Sequence, residues 1–136
     1  MPQTSSGLGL DSEFPPFLPN FNGLKIVPDK LKVEAKKWNA TITLTNTTDC
    51  GVLYKVKCTS NKRIKIENCA DIVPPGKEAL VTVRSIADPK PKDQLNVVFV
   101  LVGKQWLAID NAYKCWRRVK GYTMPTRNKL IEVQVD

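Results

Sequence analysis

The sequence predicts an all-β fold, an antiparallel β-sandwich of about seven strands. Three observations carry that expectation. From Leu24 onward, apolar and polar residues alternate with a period of two in run after run, which is the pattern of a half-buried strand. Clusters of Pro, Gly, Asn and Asp separate the runs, as turns between strands require. No stretch of about ten residues or more keeps a clear 3.6-residue period, so no long amphipathic helix is expected.

Residues 1–13 are poor in large apolar groups and hold several Ser and Gly, and they are expected to form a flexible tail before a domain spanning 14–136. Phe14-Pro-Pro-Phe-Leu-Pro19 cannot be helical, and with three large apolar groups it reads as an extended arm laid against the domain. Leu31, Val33 and Ala35 alternate with charged neighbours, and Ile42 and Leu44 with threonines. Val52, Tyr54, Val56 and Cys58 alternate in the next run, then Ile64 and Ile66, then Leu80 to Arg84. Leu95 to Val102 is apolar enough to be buried on both faces, and Leu130 to Val135 closes the chain. Turns are expected at Thr47 to Gly51, Pro74-Pro-Gly-Lys77 and Asp88-Pro-Lys-Pro91. Ala108 to Val119 has the length for a short helix or a turn, without strong amphipathicity.

The 136 residues carry 21 Lys and Arg against 13 Asp and Glu, a net charge of +8, and no histidine. Without histidine there is no Ser-His-Asp or Cys-His nucleophile, no His general base and no His-ligated metal. No phosphate-cradling Gly-x-x-x-x-Gly-Lys, Gly-x-Ser-x-Gly or Asp-rich metal loop is present either. The expected catalytic, cofactor-binding and metal-binding residues are therefore none. The N-terminus lacks a signal-peptide pattern, and no apolar run is long enough to span a membrane. A cytoplasmic protein follows as the expectation, with Cys50, Cys58, Cys69 and Cys115 as free thiols. Asn39-Ala-Thr41 and Asn46-Thr-Thr48 match the glycosylation sequon but would then go unmodified.

Two basic stretches remain as candidate binding surfaces. Lys55, Lys57, Lys62, Arg63 and Lys65 crowd together with no intervening acid until Glu67, and Lys55 and Lys57 share one face of a strand. With Thr59 beside them they suit an acidic peptide or phosphate, or they guard an exposed edge strand against self-pairing. The second stretch holds Lys114, Arg117, Arg118, Lys120, Arg127 and Lys129, interleaved with Tyr113, Trp116 and Tyr122. Aromatics beside arginines anchor protein contacts or stack on bases. No RNA- or DNA-module motif accompanies them, so the expected partner is a protein rather than a nucleic acid.

The order of these features resembles the major sperm protein (MSP) domain. The resemblance rests on Ala40 to Thr48, Tyr54 to Arg63 and Ile72 to Glu78, and continues through Lys114-Cys-Trp-Arg-Arg118 and Arg127 to Gln134. It covers Pro15 to Asp136. It implies an immunoglobulin-like seven-stranded sandwich without cofactor or catalysis. One branch of the family comprises nematode sperm proteins that form dimers and filaments for amoeboid crawling, with small accessory proteins. The other, VAP-type, branch is membrane-tethered and binds acidic peptide motifs. Val56, Lys57, Thr59 and Arg63 match the binding strand of the second branch, but Cys58 replaces a threonine. Val98-Phe99-Val100 stands where that branch has Lys-Phe-Met. The loss of those groups, and an end at Asp136 without coiled coil or anchor, favour the first branch.

The expectation is thus a non-enzymatic sperm cytoskeletal protein of the cytoplasm and pseudopod, either an accessory regulator of MSP filament assembly or a filament subunit. Its partners would be MSP filaments or another MSP-domain protein, with homodimers among the options and no integral membrane contact. The alternative is a VAP-like module for acidic peptides. Contacts would use Lys55, Lys57, Thr59, Lys62, Arg63, Lys65, Trp116, Arg117, Arg118, Arg127 and Lys129.

Overall fold

The strongest alternating stretches become the central strands of two packed sheets. The structure, a computed structural model, describes residues 13–109, 111–121 and 125–135; residues 1–12 of the expected tail over 1–13 lie outside them. In chain order the elements are β1 (Leu24–Val27), β2 (Lys30–Val33), β3 (Asn39–Asn46), β4 (Gly51–Cys58), β5 (Ile64–Glu67), β6 (Ala70–Val73), β7 (Glu78–Ser85) and β8 (Gln94–Val102). Two helices, α1 (Lys104–Ile109) and α2 (Ala112–Gly121), precede β9 (Arg127–Val135). One sheet has four strands in the order β1-β3-β7-β5, and the other has five in the order β2-β9-β8-β4-β6.

The sandwich is as expected, but among the described residues it has nine strands rather than seven. The two additional strands, β1 and β6, have four residues each and sit at sheet edges. Each ends in two adjacent apolar residues, Ile26-Val27 and Ile72-Val73, which breaks the alternation over so short a run. Nor is every pairing antiparallel: β2 runs parallel to β9, with Leu31 beside Val133. The chain changes sheet at each connection from β1 to β8, among them β1 to β2 through Pro28 and β5 to β6 through Asn68 at φ 60°, and β8 to β9 stays within one sheet. At the Pro74-Pro75-Gly76-Lys77 turn, Gly76 takes φ 73° and the Lys77 N–H donates to the Pro74 carbonyl at 3.1 Å, as a turn with proline at its second position and glycine at its third requires.

Between the sheets lies the main core, which includes Ile42, Leu44, Tyr54, Val81, Val97 and Ile131. A second core sits on the outer face of the five-stranded sheet, where α1 and α2 cover Leu53, Ile72, Val100 and Val102. This covering explains why Val52, Leu53 and Tyr54 are all buried, and why β8 is buried on both faces from Phe99 to Val102. At Gly51 a Cβ would come within 2.8 Å of Leu107 of α1, so the helix crosses where only glycine leaves room.

Helix α2 was expected to be a weakly amphipathic helix or turn at most, and it proves to be a regular ten-residue helix with one buried stripe, Ala112, Cys115 and Val119. The spacing of 3 and 4 places them on one side. Asn111 caps the helix by accepting the Lys114 N–H at 3.0 Å.

The Phe14-to-Pro19 segment packs as an arm. Phe14 is 2% exposed and stacks on Trp106, while Phe17 and Phe21 meet Phe99 edge-on and tilted. Glu13, placed by the sequence at the end of the tail, is buried, and its carbonyl accepts the Gly103 N–H at 2.8 Å.

Candidate interaction surface

The candidate residues divide into those that hold the fold together and those that face outward with their charge unopposed. Arg63 belongs to the first group. Its guanidinium makes a two-pronged ion pair with Asp93, with Nε donating to Oδ2 at 3.1 Å. Asp93 is 3% exposed and also accepts the Lys90 N–H at 2.9 Å. The hydrogen bond from Arg63, helped by that amide and by charge, holds the Asp93 carboxyl below its ordinary value. Since this folded-state value is depressed, the pair contributes stability above the usual carboxylate range and loses it as pH falls through the folded value. Thermal denaturation across roughly pH 2 to 6 should therefore show a shallower acid loss in Asp93→Asn than in the parent chain; equal slopes would assign the acid sensitivity elsewhere.

Thr59 is committed as well, donating its backbone N–H to the Gln94 carbonyl at 3.0 Å and accepting the Gln94 N–H on its hydroxyl at 2.7 Å. Arg118 pairs with the Glu13 carboxylate across the second core, beside the Trp106 Nε1–H donated to the same group at 3.2 Å. Arg127 lies with its guanidinium 4.8 Å from the Phe17 ring centroid, and Lys129 reaches Asp29 at 3.4 Å in the open. Three of the expected contact cations, Arg63, Arg118 and Lys129, thus have acidic partners within the chain, and Arg127 packs on an aromatic ring.

The first basic stretch does not form one surface. Lys55 and Lys57 point outward from the five-stranded sheet, opposite Val98 and Asn96 of β8. Lys65 points outward from the four-stranded sheet, opposite Arg84. The two faces approach each other only along the side of the sandwich, where Lys57 and Lys65 rim a cleft of about 540 Å3 floored by Val56, Ile64 and Ile66. Lys62 is exposed in the turn between them. As an edge-strand residue Lys65 fits the guarding role, whereas Lys55 lies between β8 and β6 and does not.

Lys55 instead faces α2. Its ammonium lies 4.6 Å from the Trp116 ring centroid, and the ring is fixed by Nε1–H donation to the Tyr54 carbonyl at 3.1 Å. Arg117 is exposed on the same helix. Tyr113 and Lys120, part of the second basic stretch but not of the expected contact set, join Trp116 and Arg117 along one side of the helix, as the spacing 113, 116, 117, 120 requires. Tyr122 lies outside the described residues. All four cysteines are free thiols, with Cys115 pushed up to about 12 by burial and then by Glu13. Among the described residues no three His, Cys, Asp or Glu gather as a metal site would need, and no helix is long and apolar enough to cross a membrane.

Residues 23–121 match the family described as the MSP (Major sperm protein) domain. The chain belongs to that family. Solved structures agree on the fold. A structure described as WR4, a C. elegans MSP family member, superposes with a TM-score of 0.72 at 12% identity, covering 85% of this chain and 100% of that one. SSP-19, an MSP-domain protein-like family member of Caenorhabditis elegans, gives 0.67 at 19% identity, covering 82% and 99%. The Pseudomonas aeruginosa CupB2 chaperone gives 0.56 at 10% identity, covering 82% of this chain and 55% of its own. No curated protein sequence matches the chain. The arm that carries Phe14, Phe17 and Phe21 precedes the matched MSP domain, and α2 falls within it.

Proposed function

We propose that this MSP-domain chain is a non-enzymatic cytoplasmic protein of the nematode sperm cytoskeleton, acting by protein contacts on MSP filament assembly. The accessory or regulatory role is preferred over that of filament subunit because the aromatic arm adds a packed layer outside the matched domain. The observation that carries the reading is the MSP match over residues 23–121. Its support from chemistry is that the outward groups are scattered cations, Lys57, Lys62 and Arg117 among them, which suit an acidic protein surface. The partners would be MSP filaments, another MSP-domain protein or a second copy of this chain.

The VAP-like reading has Lys55 and Lys57 in its favour, both on the outer face of β4, although Lys55 is partly covered by Trp116 of α2. It fits less well, because Arg63 and Thr59 are already bonded within the chain and Val100 is buried beneath the second core.

Added to polymerising nematode MSP, the purified chain is expected to change the rate or extent of assembly, read by light scattering, in proportion to its concentration. Reversing two exposed charges together, Lys57→Glu with Arg117→Glu, should weaken that effect. Scattering that matches a buffer control over a broad concentration range would end the proposal. Scattering that grows with this chain alone would assign it the subunit role.

A further inference from the structure

Helix α2 and strand β4 border an open cleft of about 530 Å3 whose chemistry is one-sided. Lys55, Arg117 and Lys120 meet there, Trp116, Tyr113 and Val119 form its apolar walls, and Thr126 closes the end nearest β9. Among the described residues no carboxylate lines it. Among the described residues these three cations form no ion pair, while the pairs that do exist engage Arg63, Arg118 and Lys129 elsewhere. Burial, followed by repulsion from Lys57 and Lys120, holds Lys55 below its ordinary value. Folding therefore brings like charges together at a cost in free energy, which a bound anion would relieve.

The walls decide which anion. The Trp116 ring is held in place by its bond to the Tyr54 carbonyl, and Tyr113 is 67% exposed beside it. A glutamate or aspartate would bring one negative charge to three cations and nothing to lie against the rings. Inorganic phosphate would bring the charge without the ring, and phosphoserine is too short to fill the apolar wall. An aryl phosphate supplies both parts: a group near two negative charges with three strong acceptor oxygens, and a flat ring to pack on aromatic faces. Arginine offers the fork that suits phosphoryl oxygens, with the two ammonium groups as point charges around it.

We infer that the cleft between α2 and β4 is a recognition site for a phosphotyrosine side chain of a partner protein. Arg117, Lys55 and Lys120 hold the phosphoryl oxygens, the Thr126 hydroxyl donates to them, and Trp116, Tyr113 and Val119 wall the ring. The inference rests on the reading that the chain works by protein contacts. Its test uses no filaments, so the two can fail separately.

The experiment titrates the full chain with phenyl phosphate, and with one peptide carrying phosphotyrosine, phosphoserine, glutamate or unmodified tyrosine at the same position. Tryptophan fluorescence and calorimetry read the binding. The phosphotyrosine peptide is expected to saturate and to bind about tenfold or more tighter than the phosphoserine and glutamate forms. Arg117→Glu and Lys120→Glu, at two exposed helix positions, should each lower that affinity about tenfold or more, whereas Lys25→Glu on the opposite sheet should leave it unchanged. Lys120→Gln, which removes charge without reversing it, should give a smaller loss in the same direction. Phosphoserine equal to phosphotyrosine, inorganic phosphate equal to phenyl phosphate, or affinity indifferent to Lys120 would each overturn the assignment. So would the absence of saturable binding at concentrations on the order of 1 mM.

Discussion

Replacing Phe14 by alanine is expected to cost about 3–5 kcal/mol of stability, the range for truncating a buried aromatic side chain. Phe14 precedes the matched domain by sequence, yet it is 2% exposed, with its ring 6.3 Å from that of Trp106 in the second core. That core also contains Leu53, Val100, Cys115 and Val119, so the cavity left by the ring would lie between the arm, the sheet and both helices. The arm is fastened on either side of Phe14. Glu13 accepts from Gly103, Trp106 and Arg118, and Phe17 packs on Phe99. The gap therefore has little freedom to collapse. Urea unfolding should show a lower midpoint with an unchanged slope, since the same surface is exposed on unfolding. Leu18→Ala, one position beyond Phe17 and 72% exposed, provides the contrast, with an expected change within about 0.5 kcal/mol. A Phe14→Ala loss as small as that of Leu18→Ala would mean that the arm is not part of the folded unit, and α1 and α2 would need another account of their packing.

The same second core marks where the sequence stopped being legible. β3 and β7 could be read because each buries one face and shows the other to solvent, so the period of two survives intact. β4 and β8 blur where helices cover their outer faces, as at Leu53 and Val100. The stripe of α2 escaped notice because it is built from Ala112, Cys115 and Val119, residues too small to give a strong apolar signal, with Trp116 only partly buried beside them. For the candidate site, period two correctly places Lys55 and Lys57 on one face. What it could not give is the fate of the arginines. Arg63 meets Asp93 thirty residues on, and Arg118 meets Glu13 from across 105 residues. Those contacts depend on the closure of the whole sandwich, and nothing local in the chain announces them. The cations left over by such pairings are the ones available to a partner, so the useful surface emerges by subtraction.

Asn46→Ala is the second large effect expected, at about 3 kcal/mol, because it leaves several buried polar groups without partners. Asn46 is fully buried, and its side chain uses its whole hydrogen-bonding capacity. Nδ2 donates to the Cys50 carbonyl at 2.7 Å and to the Val73 carbonyl at 2.9 Å, while Oδ1 accepts the Thr48 N–H at 2.9 Å and lies 2.7 Å from the Thr48 hydroxyl. Its backbone joins the Pro74-to-Lys77 turn, donating to the Lys77 carbonyl and accepting from the Gly76 N–H. One residue thus ties the end of β3, the start of β4 and the turn between β6 and β7. Alanine keeps the backbone bonds and removes all four made by the side chain. Asn46→Asp keeps an acceptor toward Thr48 but turns a carboxylate oxygen toward two carbonyls, which is worse than an empty space near neutral pH. Protonating that carboxyl restores one donor, so relative to the parent chain Asn46→Asp should lose less stability near pH 4 than near pH 7, whereas the Asn46→Ala deficit should hardly change. Denaturant midpoints at the two pH values separate these outcomes. Equal deficits for the aspartate variant at both would show that the two carbonyls do not oppose the charge as the geometry requires.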